Sequence, residues 1–132
     1  MTTSRTRDAT PAVRAAFAAA SAAYLVNCAI GIAAATRILP PRPELRLHHR
    51  AYLLTGALTA VALASPLWAG STARPAARRA ARALAPALIP LAALPRVGTR
   101  TRRHRAVALT AAPWYAAGTI ATWRDPWSSS TS

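Results

Sequence analysis

Charge is absent from four long stretches of this chain, and that segregation limits its possible folds more than any other feature. Between Arg14 and Arg37 lie 22 uncharged residues, between Arg50 and Arg74 lie 23, between Arg82 and Arg96 lie 13, and between Arg105 and Arg124 lie 18. Every Arg, Asp and Glu falls outside these windows. A helix rises about 1.5 Å per residue and a bilayer's hydrocarbon core is about 30 Å thick, so roughly 20 apolar residues cross it. The first, second and fourth windows are long enough. The third reaches only about 20 Å and contains Pro86, Pro90 and Pro95. Extending it back through Ala76 gives 20 residues and places Arg78, Arg79 and Arg82 within an arc of about 100° on one helical face. Their long stems can then snorkel to lipid headgroups.

The expectation is an all-α integral membrane protein with four transmembrane helices, over about 15–36, 51–72, 76–95 and 106–123. These form a single membrane domain, 15–124, between a basic amino-terminal tail, 1–14, and a Ser/Thr-rich tail, 125–132, read as disordered. A re-entrant or interfacial helix is the alternative for the third segment. A soluble helical bundle needs a polar stripe for water, and residues 51–73 offer only Thr, Ser and Gly. The first window runs on beyond the roughly 7 to 15 apolar residues of a secretory signal, so a retained anchor is the better reading. Pro40, Pro41 and Pro43 in the first connection read as an extended turn rather than a helix.

Composition narrows the chemistry. The chain has 17 arginines and no lysine against three carboxylates, Asp8, Glu44 and Asp125, giving a formal net charge of +14. Hydrolysis by paired carboxylates has too little to work with. The single cysteine, Cys28, excludes a disulfide within the chain and a Cys-based zinc cluster. The 36 alanines, with arginine in place of lysine, favour GC-rich codons and thus the cytoplasmic membrane of a bacterium.

An internal repeat is visible at an offset of 55: residues 49–55 (HRAYLLT) match 104–110 (HRAVALT) at five of seven positions, and Leu39-Pro40 pairs with Leu94-Pro95. Each unit would be a helical hairpin, and two such tandem hairpins would be related by a pseudo-two-fold axis along the membrane normal. Four spans would put eight arginines on one side and nine on the other, so charge bias does not orient the chain, and insertion in both orientations with pairing to a second copy is compatible with it. The basic amino terminus favours both termini inside. Trp68, Trp123 and Trp127 fall at the end shared with the termini, where an interfacial aromatic belt belongs.

Several residues stand out against this background. Asn27 and Cys28 sit mid-span in the first window, where an amide usually serves as interhelical glue. An apolar setting keeps Cys28 a protonated thiol. Trp114 and Tyr115 follow Pro113, which frees a carbonyl and can kink the fourth span. Asn27, Trp114 and Tyr115 are the candidate lining of an intramembrane pocket for an apolar ligand, with Thr110, Thr55 or Asn27 as hydrogen-bond partners for the indole and phenol. His49 and His104 occupy equivalent helix starts in the repeat, where two imidazoles could ligate haem iron or a divalent metal with Glu44 as a supplement. The plainer reading makes each an interfacial residue. Arg78, Arg79, Arg82, Arg100, Arg102 and Arg103 are candidate contacts for anionic lipid headgroups. The basic turns carry no stacking aromatics, so nucleic acid is not the expected polyanion.

In size and balanced charge the chain resembles the small multidrug resistance transporters. That resemblance implies proton-coupled export through a glutamate embedded in the first helix, and the window 15–36 contains no carboxylate. The functional expectation is therefore a non-catalytic membrane component acting by helix packing and by binding lipid, a second copy or a membrane protein partner. A small membrane oxidoreductase or haem- or metal-binding protein using His49 and His104 is the second expectation, and a small-solute carrier the third. The sequence names no cofactor.

Overall fold

Prolines decide where the helices of this chain break. The computed structural model describes residues 9–38, 41–98 and 101–124; the ends of both tails, Trp127, the Leu39-Pro40 step and Arg100 lie outside them, as does the side chain of Glu44. The described residues are helical throughout, with short turns and no strand among them. Helix α1 spans Ala9–Ala35, α2 Pro41–Leu63, α3 Ser65–Trp68, α4 Arg74–Leu84, α5 Leu88–Ala93, α6 Arg102–Leu109 and α7 Ala112–Ala121. Single 3-10 turns at Ala85–Ala87 and Leu94–Arg96 flank α5. A proline occupies the first or second position of α3, α4, α7 and both 3-10 turns. There its missing N–H is one that a helix start leaves unused.

The same rule corrects the expected extended turn before the second window. Pro41 and Pro43 lie in the first turn of α2, so this helix begins nine residues before the end of the charged segment and carries Arg46, His48, His49 and Arg50. The second window is in turn divided near Pro66, where α2 gives way to α3 and then to a turn at 70–73. As a result α1 is the one helix among the described residues that is long and apolar enough to cross a membrane, over Pro11–Ala35.

The segments stack into four rods: α1; α2 with α3; α4 and α5 with their 3-10 turns; and α6 with α7. Contacts run from α1 to α2, from α2 and α3 to α4, from α4 to α7 and from α7 back to α1, which closes a ring. Three polar contacts set the direction of the first and fourth rods. Arg14 Nε donates to the Thr122 carbonyl at 3.2 Å, Ser21 and Thr119 hydroxyls lie 2.8 Å apart, and Tyr24 Oη donates to the Ala108 carbonyl at 2.7 Å. Rising numbers in α1 meet falling numbers in the fourth rod, so the two are antiparallel. Tyr52 Oη donating to the Leu91 carbonyl at 2.9 Å fits the same alternation between the second and third rods. The bundle is up-down-up-down, with residues 14 and 122 at one end and the first connection at the other.

Near the terminal end the core is built from small residues. Ala20, Ala77 and Ala80 are fully buried, and Phe17 and Leu84 are buried with them. Gly118 completes the contact: a Cβ there would lie 3.0 Å from Leu84 Cβ and 3.3 Å from the Phe17 ring. Leu84 Cβ is anchored to the backbone and cannot rotate away, so α4 and α7 touch at this distance only because residue 118 has no side chain. Gly118→Ala should lower the thermal unfolding midpoint, the overpacking cost of about 1–3 kcal/mol outweighing a helix-propensity gain of about 1 kcal/mol. Gly118→Val should lower it further. An unchanged midpoint in both variants would show that the helices separate freely.

Candidate functional site

Buried polar side chains run along the inside of the bundle. Thr55, Thr59, Ser65, Asn27 and Thr122 are buried, alongside Tyr24 and Tyr115. In a helix the side-chain hydroxyl of Thr can return to the carbonyl four residues back. Thr55 does so to Ala51 at 2.8 Å and Thr59 to Thr55 at 2.7 Å. The Thr59 hydroxyl also lies 2.6 Å from Tyr115 Oη, so the phenol's partner is none of Thr110, Thr55 and Asn27, which the sequence suggested, but the residue one turn beyond Thr55. The Tyr115 ring stacks on Tyr24 with centroids 4.4 Å apart and an interplanar angle of 11°. Tyr24 in turn donates to the Ala108 carbonyl, just before the break at Thr110. Three rods meet at this pair.

Tyr52 performs a related task that sequence reasoning missed. A proline removes the N–H that would bond the carbonyl four residues earlier, and Pro95 stands four residues after Leu91. The Leu91 carbonyl accepts from the Tyr52 hydroxyl instead. The signal was present as the Leu91/Pro95 spacing, but the partner lies 39 residues away.

Asn27, Trp114 and Tyr115 do not share one environment. Asn27 is buried and its Oδ1 finds no hydrogen-bond partner among the described residues. Tyr115 is 2% exposed, whereas Trp114 is 40% exposed, because consecutive helical residues point about 100° apart. Cys28 is a free thiol packed at the edge of the core.

At the opposite end from the termini, the imidazoles of His48 and His104 face each other, with centroids 6.0 Å apart and planes tilted by 57°. His49 is exposed. The sequence repeat aligns His49 with His104, but the second and fourth rods meet at an offset of 56, the separation that also joins Thr59 to Tyr115. One residue of slip rotates the side chain by about 100°, which brings His48 to the facing position. His104 Nδ1 lies 3.1 Å from the Val97 carbonyl, and its backbone N–H is capped by Thr101 Oγ1 at 3.1 Å. As donor to that carbonyl, Nδ1 carries the proton and Nε2 keeps its lone pair. No group of three or more potential metal ligands occurs among the described residues.

The arginines divide between the two ends. Arg102 and Arg103 are exposed at the start of α6, while Arg78, Arg79 and Arg82 are exposed on α4. At the terminal end the Arg14 guanidinium lies 4.2 Å from the Trp123 ring centre, a cation–π contact that accompanies its bond to the last turn of α7. Trp68 is at this end of the second rod, its indole donating to the Val61 carbonyl at 3.3 Å. Comparison with protein-family models, with curated proteins and with solved structures finds no match.

Tyr52→Phe should lower stability by about 1–3 kcal/mol, the cost of a buried carbonyl left unpaired. Pro95→Ala supplies an N–H to the same carbonyl, so the double variant should recover most of the loss. Thermal melts of the four proteins in the cycle measure this coupling, and strict additivity would mean that the hydroxyl is not replacing the missing donor.

Proposed function

We propose that this chain is a non-catalytic, four-span integral membrane component, working through helix packing and through contacts with lipid, a second copy or a membrane protein partner. One observation carries the reading: polar side chains are buried within an Ala-rich core while large aliphatic side chains stand exposed. Thr55, Thr59, Ser65 and Asn27 are buried while Leu25, Val26, Leu53, Leu54, Leu67, Ile89, Leu109 and Ile120 are at least half exposed. Buried hydroxyls and amides beside large exposed aliphatics on all four rods suit a lipid solvent better than water. Each rod extends roughly 30 Å or more, enough to cross a hydrocarbon core despite the proline breaks. Such breaks are tolerated in a bilayer when neighbouring side chains satisfy the freed carbonyls, as Tyr52 does. The Ala- and Arg-rich, Lys-free composition supports a bacterial cytoplasmic membrane as the setting of this reading.

The full chain should stay with membranes through alkaline carbonate extraction, and Leu25→Asp should sharply reduce its membrane-integrated fraction. An acidic residue at a span centre costs about 2.5–3.5 kcal/mol in insertion, whereas at a water-exposed helix position the change stays within about 0.5 kcal/mol. Recovery of the parent chain as a soluble monomer without detergent, or normal behaviour of the variant, defeats the reading.

A second reading, metal binding, is supported by the facing of His48 and His104. A nitrogen–metal bond of about 2.0 Å on each side accommodates a single ion between rings at this separation. The hydrogen bond at His104 Nδ1 is the kind of outer contact that orients a ligating imidazole. The arginines on the same turns oppose a cation, which keeps this reading second. On titration with copper, nitrogen hyperfine structure in the electron paramagnetic resonance spectrum should appear for the parent and for His49→Ala and vanish for His48→Ala and His104→Ala. Identical spectra in all four proteins would remove the site.

A further inference from the structure

We infer that the outer face of α4 is a binding site for an anionic phospholipid with two phosphodiesters, of the diphosphatidylglycerol type; the inference rests on the membrane reading above. Arg74, Arg78 and Arg82 are spaced at four-residue intervals and form one stripe, and with Ser71, Pro75 and Arg79 they line a groove of about 340 Å³. All six residues are exposed. The opposite face of α4, Ala77, Ala80 and Leu84, is buried against α7, so the helix is held with its arginines outward.

The chain supplies few anions for these guanidiniums. Three carboxylates serve 17 arginines, so at least 14 have none of their own. Among the described residues Arg79 reaches a carbonyl, that of Arg124, at 3.5 Å. In the membrane reading the third rod starts at the terminal end and Arg82 lies about 12 Å along it from Arg74. A charge at that depth is costly unless an anion accompanies it. Lipid phosphates are the available polyanion, and guanidinium binds phosphate through paired, parallel N–H donors.

The continuation of the stripe points to a lipid rather than a free phosphate. Beyond Arg82 the same outward face carries Ala85, Leu88, Ile89 and Ala92, all exposed, with Ile89 at 75%. Two turns of positive charge followed by two turns of aliphatic surface match a headgroup followed by its acyl chains. The number of phosphates follows from length. One phosphate engages one or two neighbouring guanidiniums, whereas three spread along about 12 Å fit two phosphodiesters joined by a glycerol bridge.

The test uses the full-length chain purified in a mild non-ionic detergent, with lipid retention and thermal midpoint measured for added diphosphatidylglycerol, phosphatidylglycerol and phosphatidylcholine, and with inorganic phosphate as a soluble competitor. Diphosphatidylglycerol should be retained at least tenfold better than phosphatidylcholine, with phosphatidylglycerol between, and should raise the midpoint. The triple variant Arg74→Gln, Arg78→Gln, Arg82→Gln should lose at least tenfold in retention, whereas Arg102→Gln with Arg103→Gln at the other end should not. Single Arg78→Gln provides the measurement if the triple variant does not fold, and should weaken retention severalfold. Equal retention of the three lipids, or no effect of the α4 substitutions, overturns the site. Displacement by millimolar inorganic phosphate overturns the lipid assignment in favour of a soluble anion. A chain that resists carbonate extraction but ignores lipid identity defeats this inference alone, and a chain released by carbonate defeats the membrane reading beneath it.

Discussion

The stack of Tyr24 on Tyr115 is the contact on which the arrangement of the bundle depends, because it joins what the proline breaks would otherwise leave independent. Its two rings come from the first and fourth rods, and the Tyr115 hydroxyl meets Thr59 on the second. Tyr24 binds the Ala108 carbonyl beside the break between α6 and α7. Aromatic faces at this spacing contribute about 0.5–1.5 kcal/mol beyond their burial, and each hydroxyl bond about as much again. These are modest energies, but they are directional. Alanine surfaces pack at many rotations, so the hydroxyl contacts select one register from several that burial alone would accept.

That register explains the most specific difference between sequence pattern and structure. A seven-residue match aligns His49 with His104, but such a match reports only likeness of sequence. Side-chain facing is a separate property, set by the helical period and by which residues lock across the bundle. Thr59 with Tyr115 locks the rods at an offset of 56, and the histidine pair inherits that offset three turns away. His48 thus faces His104 while His49 turns outward.

Much of the fold was legible in the charges. The four uncharged windows correspond to four rods, and the all-helical composition of the described residues follows from alanine-rich segments without β-branched runs. Boundaries were less legible. Prolines at 41 and 43 suggest an extended turn by sequence, although at a first turn they begin a helix. Pro66 divided a window whose composition showed no interruption. Of the anticipated pocket, only Asn27 and Tyr115 turn inward; Trp114 lies on the outer surface, since adjacency in sequence places two helical residues on different faces. The arginines of α4 were legible as a group, but the groove that unites them with Ser71 and Arg74 depends on how the turn at 70–73 enters the helix.

The two ends of the bundle use arginine in different ways. At the terminal end, Arg14 is partly buried and commits its guanidinium to the Thr122 carbonyl and the Trp123 ring. A cation at the carboxyl end of a helix answers the carbonyls left without N–H partners and the negative pole of the helix dipole. Arg96 does the same locally, donating to the Ala92 carbonyl at 2.8 Å. Such arginines are structural, because backbone oxygen satisfies them within the fold. Arg74 and Arg78 differ: they stand ahead of the last turn of α4, where the helix's own carbonyls are bonded along the axis, while Arg82 lies in that last turn. Position along a helix, rather than charge, separates Arg14 and Arg96, which bond to backbone carbonyls, from arginines such as Arg74 and Arg78 that stand ahead of a helix's last turn.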